Sequence, residues 1–396
     1  MFDALYDSEQ IRFVGVRDER TGTHMADGYA RASGKAGIIL AGQNGPGTTN
    51  LVTGLAQAKA AYSPVVAIAG ALSTEHVYRD AFQEVDQQAL FTPVTKKTWT
   101  APSAERVPEL FREAFRTALS PRCGPVLLNL PRNVLSAEAD IDTSQRPEVY
   151  RNEQWPAANA EQIVKAAALL ENAKQPVIIA GGGIKNSSSH QAAIGLAETI
   201  NCPIVTSPGH GDAIPFHESR NAGQMGPRGN PVASRLVCEA DVIVALGTRL
   251  GFNSTFYSYD NINKDARIIQ IELEPTALGR YFPIDVGIWS DAATAAKQLS
   301  EALQVRRDRK TADQWMSSYL TERKEWLAAR DNDADEGHPV QPSGLFKAFR
   351  SVLPENAAIT LDAGTLCLQA TDALQYAGPK SLFLSLIHIS EPTRPY

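Results

Sequence analysis

Short β-branched runs that are apolar on both faces recur along this chain, each followed by a helical period. That recurrence restricts the fold more than any other feature. A strand greasy on both faces belongs inside a parallel sheet covered by helices, because a sheet with one wet face alternates polar and apolar residues. In the first third the runs are residues 11–17 (IRFVGVR), 37–41 (GIILA), 64–69 (PVVAIA) and 125–130 (PVLLNL). The helical spacing is clearest over 104–119, where Val107, Leu110, Phe111, Ala114, Phe115 and Ala118 keep to one stripe. The alternation predicts an α/β fold of βαβ units with parallel, Rossmann-like sheets.

Three such blocks follow one another. The first spans 1–140, and a polar, proline-bearing stretch without a period, 136–160, reads as a linker. The second spans 161–303, with strands at 176–180, 203–207, 241–246 and 267–272. A charged stretch, 306–341, reads as a solvated helix and a second linker. The third block, 342–384, carries a strand at 358–362. The final residues, 385–396 (SLIHISEPTRPY), have no period and resemble translated sequencing-adapter sequence, so they are expected to be an artefactual tail.

Charge and cysteine content narrow the function. A net charge of −6 gives no electrostatic footprint for nucleic acid. No stretch approaches the roughly 20 apolar residues of a bilayer span, and the acidic start is unlike a secretion signal. Cys123, Cys202, Cys238 and Cys367 are far apart, which suggests a reducing, cytoplasmic setting and neither a zinc site nor a disulfide framework. Small molecules remain as the expected ligands.

Open parallel sheets bind ligands beyond the carboxyl ends of their strands. In the first block four segments fall there: 17–20 (RDER), 42–47 (GQNGPG), 70–86 with its RDAFQEVD, and 131–133 (PRN). The glycine loop has neither the lysine nor the spacing of a Walker loop, and Pro46 removes one amide donor. Read alone, it is a tight strand–helix turn capped by Thr48 or Thr49. Glu19, read alone, belongs to a solvated charge cluster; at the end of a buried strand beside a glycine turn it can exchange a proton. The GGG at 181–183 follows a strand, but no G-x-G-x-x-G accompanies it. His24, His210 and His217 show no metal-ligand spacing, so no metal ligand is assigned in this chain.

The series DERTGTHMADGYARASGKAGIILAGQNGPGTTNLVTGLAQA, YSPVVAIAG, DAFQEVDQQALFTPVTKKTW and GPVLLNLPRNV resembles the pyrimidine-binding domain of thiamine diphosphate-dependent enzymes. It looks most like acetolactate synthase large subunits and their relatives. QPVIIAGGGIKNSS, CPIVTSPGHGDAIP, ADVIVALGTRLGFN and IIQIELEP resemble the central domain of that family, and AAITLDAGT resembles the opening of its diphosphate-binding domain. The resemblance implies a three-domain architecture, the third incomplete, and a chain cut at both ends.

It also implies a chemistry: decarboxylation of a 2-oxo acid such as pyruvate, then carboligation of the retained fragment to an acceptor. Glu19 matches the family's catalytic glutamate, which bonds the pyrimidine ring and controls the proton that activates the cofactor. Gly45, Pro46, Gly47 and Asn50 match the cofactor side, and Phe82, Gln83 and Lys96 match substrate-facing positions. Acetolactate synthases hold FAD in the central domain at positions matching Gly223, Gly226, Gly247, Arg249 and Glu272, whereas many relatives keep that domain as scaffold; the resemblance leaves both open. A homodimer or homotetramer is implied, because the pyrimidine domain of one subunit meets the diphosphate domain of another.

There are departures. Asp18 replaces the usual histidine before the glutamate, setting a second carboxylate beside Glu19 or facing it to solvent. No GDG occurs, so the family's signature for magnesium and diphosphate is missing; poor or no binding of the intact cofactor, and an inactive truncated chain, are expected. The GFN at 251–253, with GQNGPG and FQEVDQ, is similar to sulfoacetaldehyde acetyltransferases, the first alternative. A non-catalytic nucleotide-binding module or fragment is the second.

Overall fold

The computed structural model describes residues 5–142, 147–150, 155–187, 189–303, 310–332 and 338–385. They fall into two compact units, Met1–Gln154 and Trp155–Tyr396. The tail expected at 385–396 lies outside the described residues except for Ser385.

Unit 1 is built on a four-stranded sheet in the order β1-β2-β4-β3, all parallel: β1 (Gly37–Leu40), β2 (Val65–Ala71), β3 (Lys97–Thr100) and β4 (Val126–Pro131). The two central strands are apolar on both faces and carry the core, with Val65, Val66, Ala67, Val126, Leu127 and Leu128 wholly buried. Helix α1 (Glu19–Ser33) starts at Asp18, whose carboxylate accepts the Arg20 N–H at 2.8 Å. Helices α2 (Leu51–Ala60), α3 (Gln87–Phe91) and α4 (Val107–Leu119) complete the crossovers that concern the site.

One expected strand is absent. Residues 11–17 form no ladder, and Ile11, Phe13 and Val14 are half exposed. Strand backbone is held by bonds to a neighbour, and apolar composition cannot replace a missing ladder partner. Strand β3 was not expected because KTWT is amphipathic and lies at the sheet edge.

Unit 2 contains a six-stranded parallel sheet, β10-β9-β8-β5-β6-β7: β5 (Pro176–Ala180), β6 (Ile204–Thr206), β7 (Asn221–Gln224), β8 (Val242–Leu246), β9 (Arg267–Glu272) and β10 (Val286–Trp289). Apolar clusters cover both of its faces. Helix α5 (Gly182–Ser187) follows β5. The charged stretch forms α6 (Lys310–Asn332), which is not simply solvated. Trp315, Met316 and Tyr319 are buried in the second cluster, and Arg235 pairs with Glu322. The mean charge of the segment concealed an apolar stripe at helical spacing.

A two-stranded parallel ladder, β11 (Ile359–Asp362) with β12 (Leu382–Ser385), and helix α7 (Thr365–Ala373) between them close unit 2. Two carboxylates tie these residues to the rest of the unit. Asp212, fully buried, accepts the N–H groups of Lys380 and Leu382 at 3.1 Å and pairs with Lys185 at 2.9 Å, while Lys185 donates to the Leu382 carbonyl at 2.6 Å. On α7, Asp372 accepts the Gln224 N–H at 2.9 Å and the Asn230 amide at 3.0 Å.

Enclosure raises the Asp372 pKa above the ordinary 3.8, against the opposing pull of Gln224, Asn230 and Arg330. A carboxyl with a raised folded pKa contributes stability that is present below the unfolded value and lost as pH rises through the folded one. Asp372→Asn keeps the acceptor and removes the ionisation. Denaturant unfolding of unit 2 across pH is expected to show a shallower decline above the carboxylate range than in the parent; an unchanged slope would exclude Asp372 as its source.

Candidate functional site

The carboxyl edge of the unit 1 sheet brings together residues far apart in sequence. Glu19 is the first residue of α1, so its carboxylate stands at a helix N-terminus, where negative charge is favoured. Asn50, in the helical turn after β1, donates its Nδ2 to Glu19 Oε2 at 3.0 Å. On the other side, a Cβ at Gly47 would stand 3.2 Å from Glu19 Oε1, and one at Gly42 3.8 Å. The carboxylate is thus held by one amide and faced by two residues without side chains.

Asp18 does not act on that carboxylate as a free charge. The Arg20 guanidinium, bonded to it at 2.9 and 3.1 Å, and the Arg20 N–H hold Asp18 below the usual carboxylate range. It is a helix cap.

Gly45 occupies φ 66°, ψ −111°, a conformation closed to side-chain-bearing residues, and a Cβ there would meet the Gln83 carbonyl at 2.5 Å. The 82–84 loop therefore rests directly on the turn, with Asn44 Nδ2 donating to the Gln83 carbonyl at 3.3 Å. Gln83 is half-buried at φ 60°, its Oε1 is buried without a hydrogen-bond partner among the described residues, and Phe82 is exposed. Gly45→Ala is expected to destabilise unit 1 by about 1–3 kcal/mol from the backbone conformation alone. Equilibrium denaturation checks this, and a change under about 0.5 kcal/mol, the range of ordinary surface substitutions, would mean the turn can relax.

Lys96 is a correction. It directly precedes β3, and its N–H bonds the Pro125 carbonyl before β4, so it lies at the amino end of the sheet, opposite Glu19. Its ammonium donates to the Thr117 carbonyl and the Ser120 hydroxyl at 2.8 Å, closing the C-terminus of α4, and burial lowers its pKa. The resemblance matched a residue type at this position without carrying which sheet edge it occupies.

Two polar residues went unnoticed in sequence. Gln87 and Asn129 are buried beneath the turn and bonded to each other at 2.7 Å. The signal for Asn129 was legible: an asparagine in an otherwise apolar strand requires a partner.

In unit 2 the residues considered for FAD are accounted for by packing. A Cβ at Gly223 would meet Asn230 Nδ2 at 2.3 Å and Asp372 Oδ1 at 2.9 Å; at Gly226 it would meet the Ser254 carbonyl at 2.7 Å, and at Gly247 the Gly183 Cα at 2.6 Å. Arg249 is half-buried after β8, and Glu272 Oε1 accepts the adjacent Leu273 N–H at 3.0 Å. The cavity beside Gly223, lined also by Asn221, Asn230, Asp372 and Tyr376, holds about 30 Å³. That is water-sized. Of the residues named for FAD, only Gly223 lines it. Among the described residues no three His, Cys, Asp or Glu gather into a metal site, and no helix is long and apolar enough to cross a membrane.

Around Glu19, Gly42 and Gly47 set no side chain against the carboxylate, which is compatible with a flat ring lying there.

Residues 1–90 match the thiamine pyrophosphate enzyme N-terminal TPP binding domain, and residues 163–299 match the thiamine pyrophosphate enzyme central domain. A probable acetolactate synthase large subunit of Methanocaldococcus jannaschii is 34% identical over 372 residues, covering 92% of this chain and 62% of that protein. Its counterpart in Methanococcus aeolicus is 33% identical over 379 residues, with the same coverage. A sulfoacetaldehyde acetyltransferase of Castellaniella defragrans is 30% identical over 396 residues, covering 95% of this chain and 65% of that protein. The chain thus spans less than two thirds of the length of these relatives.

Proposed function

We propose that this chain, which belongs to the thiamine pyrophosphate-dependent enzyme family, supplies the pyrimidine side of a carboligase acting on a 2-oxo acid such as pyruvate. The observation that carries the reading is the Glu19 carboxylate, held by Asn50 and faced by Gly42 and Gly47. Thiamine diphosphate, when bound, would supply the electron sink that decarboxylation of a 2-oxo acid needs. The chain's own residues bind and orient. Glu19 holds or gives up a proton at the pyrimidine ring, Asn50 fixes its carboxylate, and Gly45, Pro46 and Gly47 shape the wall against which the ring lies. Gln83 and Phe82 face the substrate side.

The assembly is a homodimer or homotetramer in the cytoplasm. Magnesium accompanies the diphosphate, with ligands outside the residues assigned here. FAD is not part of this reading, since close packing alone accounts for Gly223, Gly226 and Gly247.

A second reading, acetyl transfer involving sulfoacetaldehyde, is favoured by the near-complete coverage of the chain by the acetyltransferase relative. One experiment separates the two. Purified protein with thiamine diphosphate and magnesium is incubated either with pyruvate alone or with sulfoacetaldehyde and inorganic phosphate as the acetyl acceptor, and acetolactate formation and sulfoacetaldehyde consumption are followed. Acetolactate alone supports the first reading and sulfoacetaldehyde loss the second; neither, in a protein that binds thiamine diphosphate, would overturn both. A flavin absorbance in the same sample would overturn the flavin-free assignment.

A further inference from the structure

We propose that Gln87 is a positioning residue that sets the cofactor-side turn through Gly45, an inference that rests on the carboligase reading above. Its side chain is 6% exposed, at the start of α3, where Asp86 caps the helix by accepting the Ala89 N–H at 2.9 Å. Gln87 Oε1 accepts the Gly45 N–H at 3.2 Å. Its Nε2 donates to the Gly70 carbonyl at 3.2 Å and to Asn129 Oδ1 at 2.7 Å. One buried amide thus joins the turn after β1, the end of β2, α3 and the middle of β4.

The orientation of that amide is determined by its neighbours. Turned over, Nε2 would face the Gly45 N–H and Oε1 would face two acceptors, losing all three bonds. Asn129, 1% exposed within a strand of apolar residues, has its Nδ2 3.5 Å from the Thr100 hydroxyl on β3. Buried polar groups without partners are costly, so a satisfied set of this kind favours one arrangement of the elements it joins.

The consequence reaches Glu19 through the chain. Gly45 is held at its N–H by Gln87 and at its carbonyl by the Thr49 N–H at 2.8 Å. Between those anchors lies the turn Pro46–Thr49, in which Gly47 faces Glu19; Asn50, the residue that bonds Glu19, follows it. Glu19 itself belongs to α1. A displacement of Gly45 therefore moves the wall and Asn50 relative to the carboxylate, without touching the carboxylate.

The test compares the parent with Gln87→Met, which keeps the bulk and loses all three bonds, and Gln87→Glu, which keeps an acceptor for Gly45. Amide hydrogen exchange is followed over 41–50 and over β2 and β4, and thiamine diphosphate binding is titrated by tryptophan fluorescence. In Gln87→Met, exchange over 41–50 is expected to rise about tenfold, with β2 and β4 unchanged and binding weakened by about the same factor, as for loss of one buried hydrogen bond. Gln87→Glu is expected to recover part of both. Unchanged exchange over 41–50, or a uniform rise across unit 1 that is equal in the two variants, would overturn the positioning role. If the parent itself binds no thiamine diphosphate, as the missing GDG signature allows, the exchange data alone decide whether Gln87 holds the turn, and the carboligase reading is decided by the assay given with it.

Discussion

In a version of the protein that also carries the diphosphate-binding segment, Glu19→Gln is expected to lower carboligation by about 10²–10⁴-fold, the range associated with losing a positioned acid–base group. The substitution is nearly isosteric, and its amide oxygen can still accept the Asn50 Nδ2 hydrogen bond now made to Oε2 at 3.0 Å. The start of α1 also remains capped by Asp18. The fold should therefore be retained, and the loss should appear in kcat with little change in KM for the 2-oxo acid. Steady-state kinetics beside a thermal melt would show this. A rate within threefold of the parent would remove Glu19 from the chemistry and leave the glycine turn as packing.

The second large effect concerns stability. Lys185→Met is expected to destabilise unit 2 by about 3–5 kcal/mol, because it leaves Asp212 enclosed without its cation. Asp212 is fully buried, and burial already pushes its pKa up in spite of Lys185. The same lysine satisfies the Leu382 carbonyl at 2.6 Å, so β12 loses a bond as well. The double variant Lys185→Met with Asp212→Leu should recover only part of that loss, since it avoids the unpaired charge but leaves the Lys380 and Leu382 N–H groups and the Leu382 carbonyl without these partners. Denaturant unfolding of the four members of the cycle gives the coupling directly. Additivity within about 0.5 kcal/mol would mean that the pair contributes nothing as a pair.

Much of this architecture was legible before any coordinates, wherever burial alone decides. Residues 176–180 and 267–272 are strands with the expected ends, because runs apolar on both faces have few other solutions. Strands whose place depends on partners were not legible. β7 (NAGQ) is polar and contains a glycine, yet it pairs at the sheet edge; residues 11–17 are largely apolar and join no ladder among the described residues. The site divides in the same way. Glu19, Gly47 and Asn50 were foreseen and do meet, since each lies just beyond a strand end or helix start on one sheet edge. Lys96 misled because a motif carries residue types without the direction of the strand that follows. Gln87 and Asn129 are sequence-distant partners, and such pairing becomes visible only once the elements are packed.

Every ladder among the described residues is parallel, in unit 1 and unit 2 alike. The nearest pairings run from Ile204 to Asn221 and from Ile269 to Val286, and the central ones span far more chain, as from Val66 to Val126 and from Pro176 to Val242. No hairpin offers a local start. Loops must close before any strand is rewarded with a neighbour, so the rate at which the native state is reached is governed by long-range encounter and not by local propensity. While those encounters are pending, the doubly apolar strands stand unpaired in water. Slow refolding and self-association at high concentration follow from the same parallel order that gathers the site on one edge.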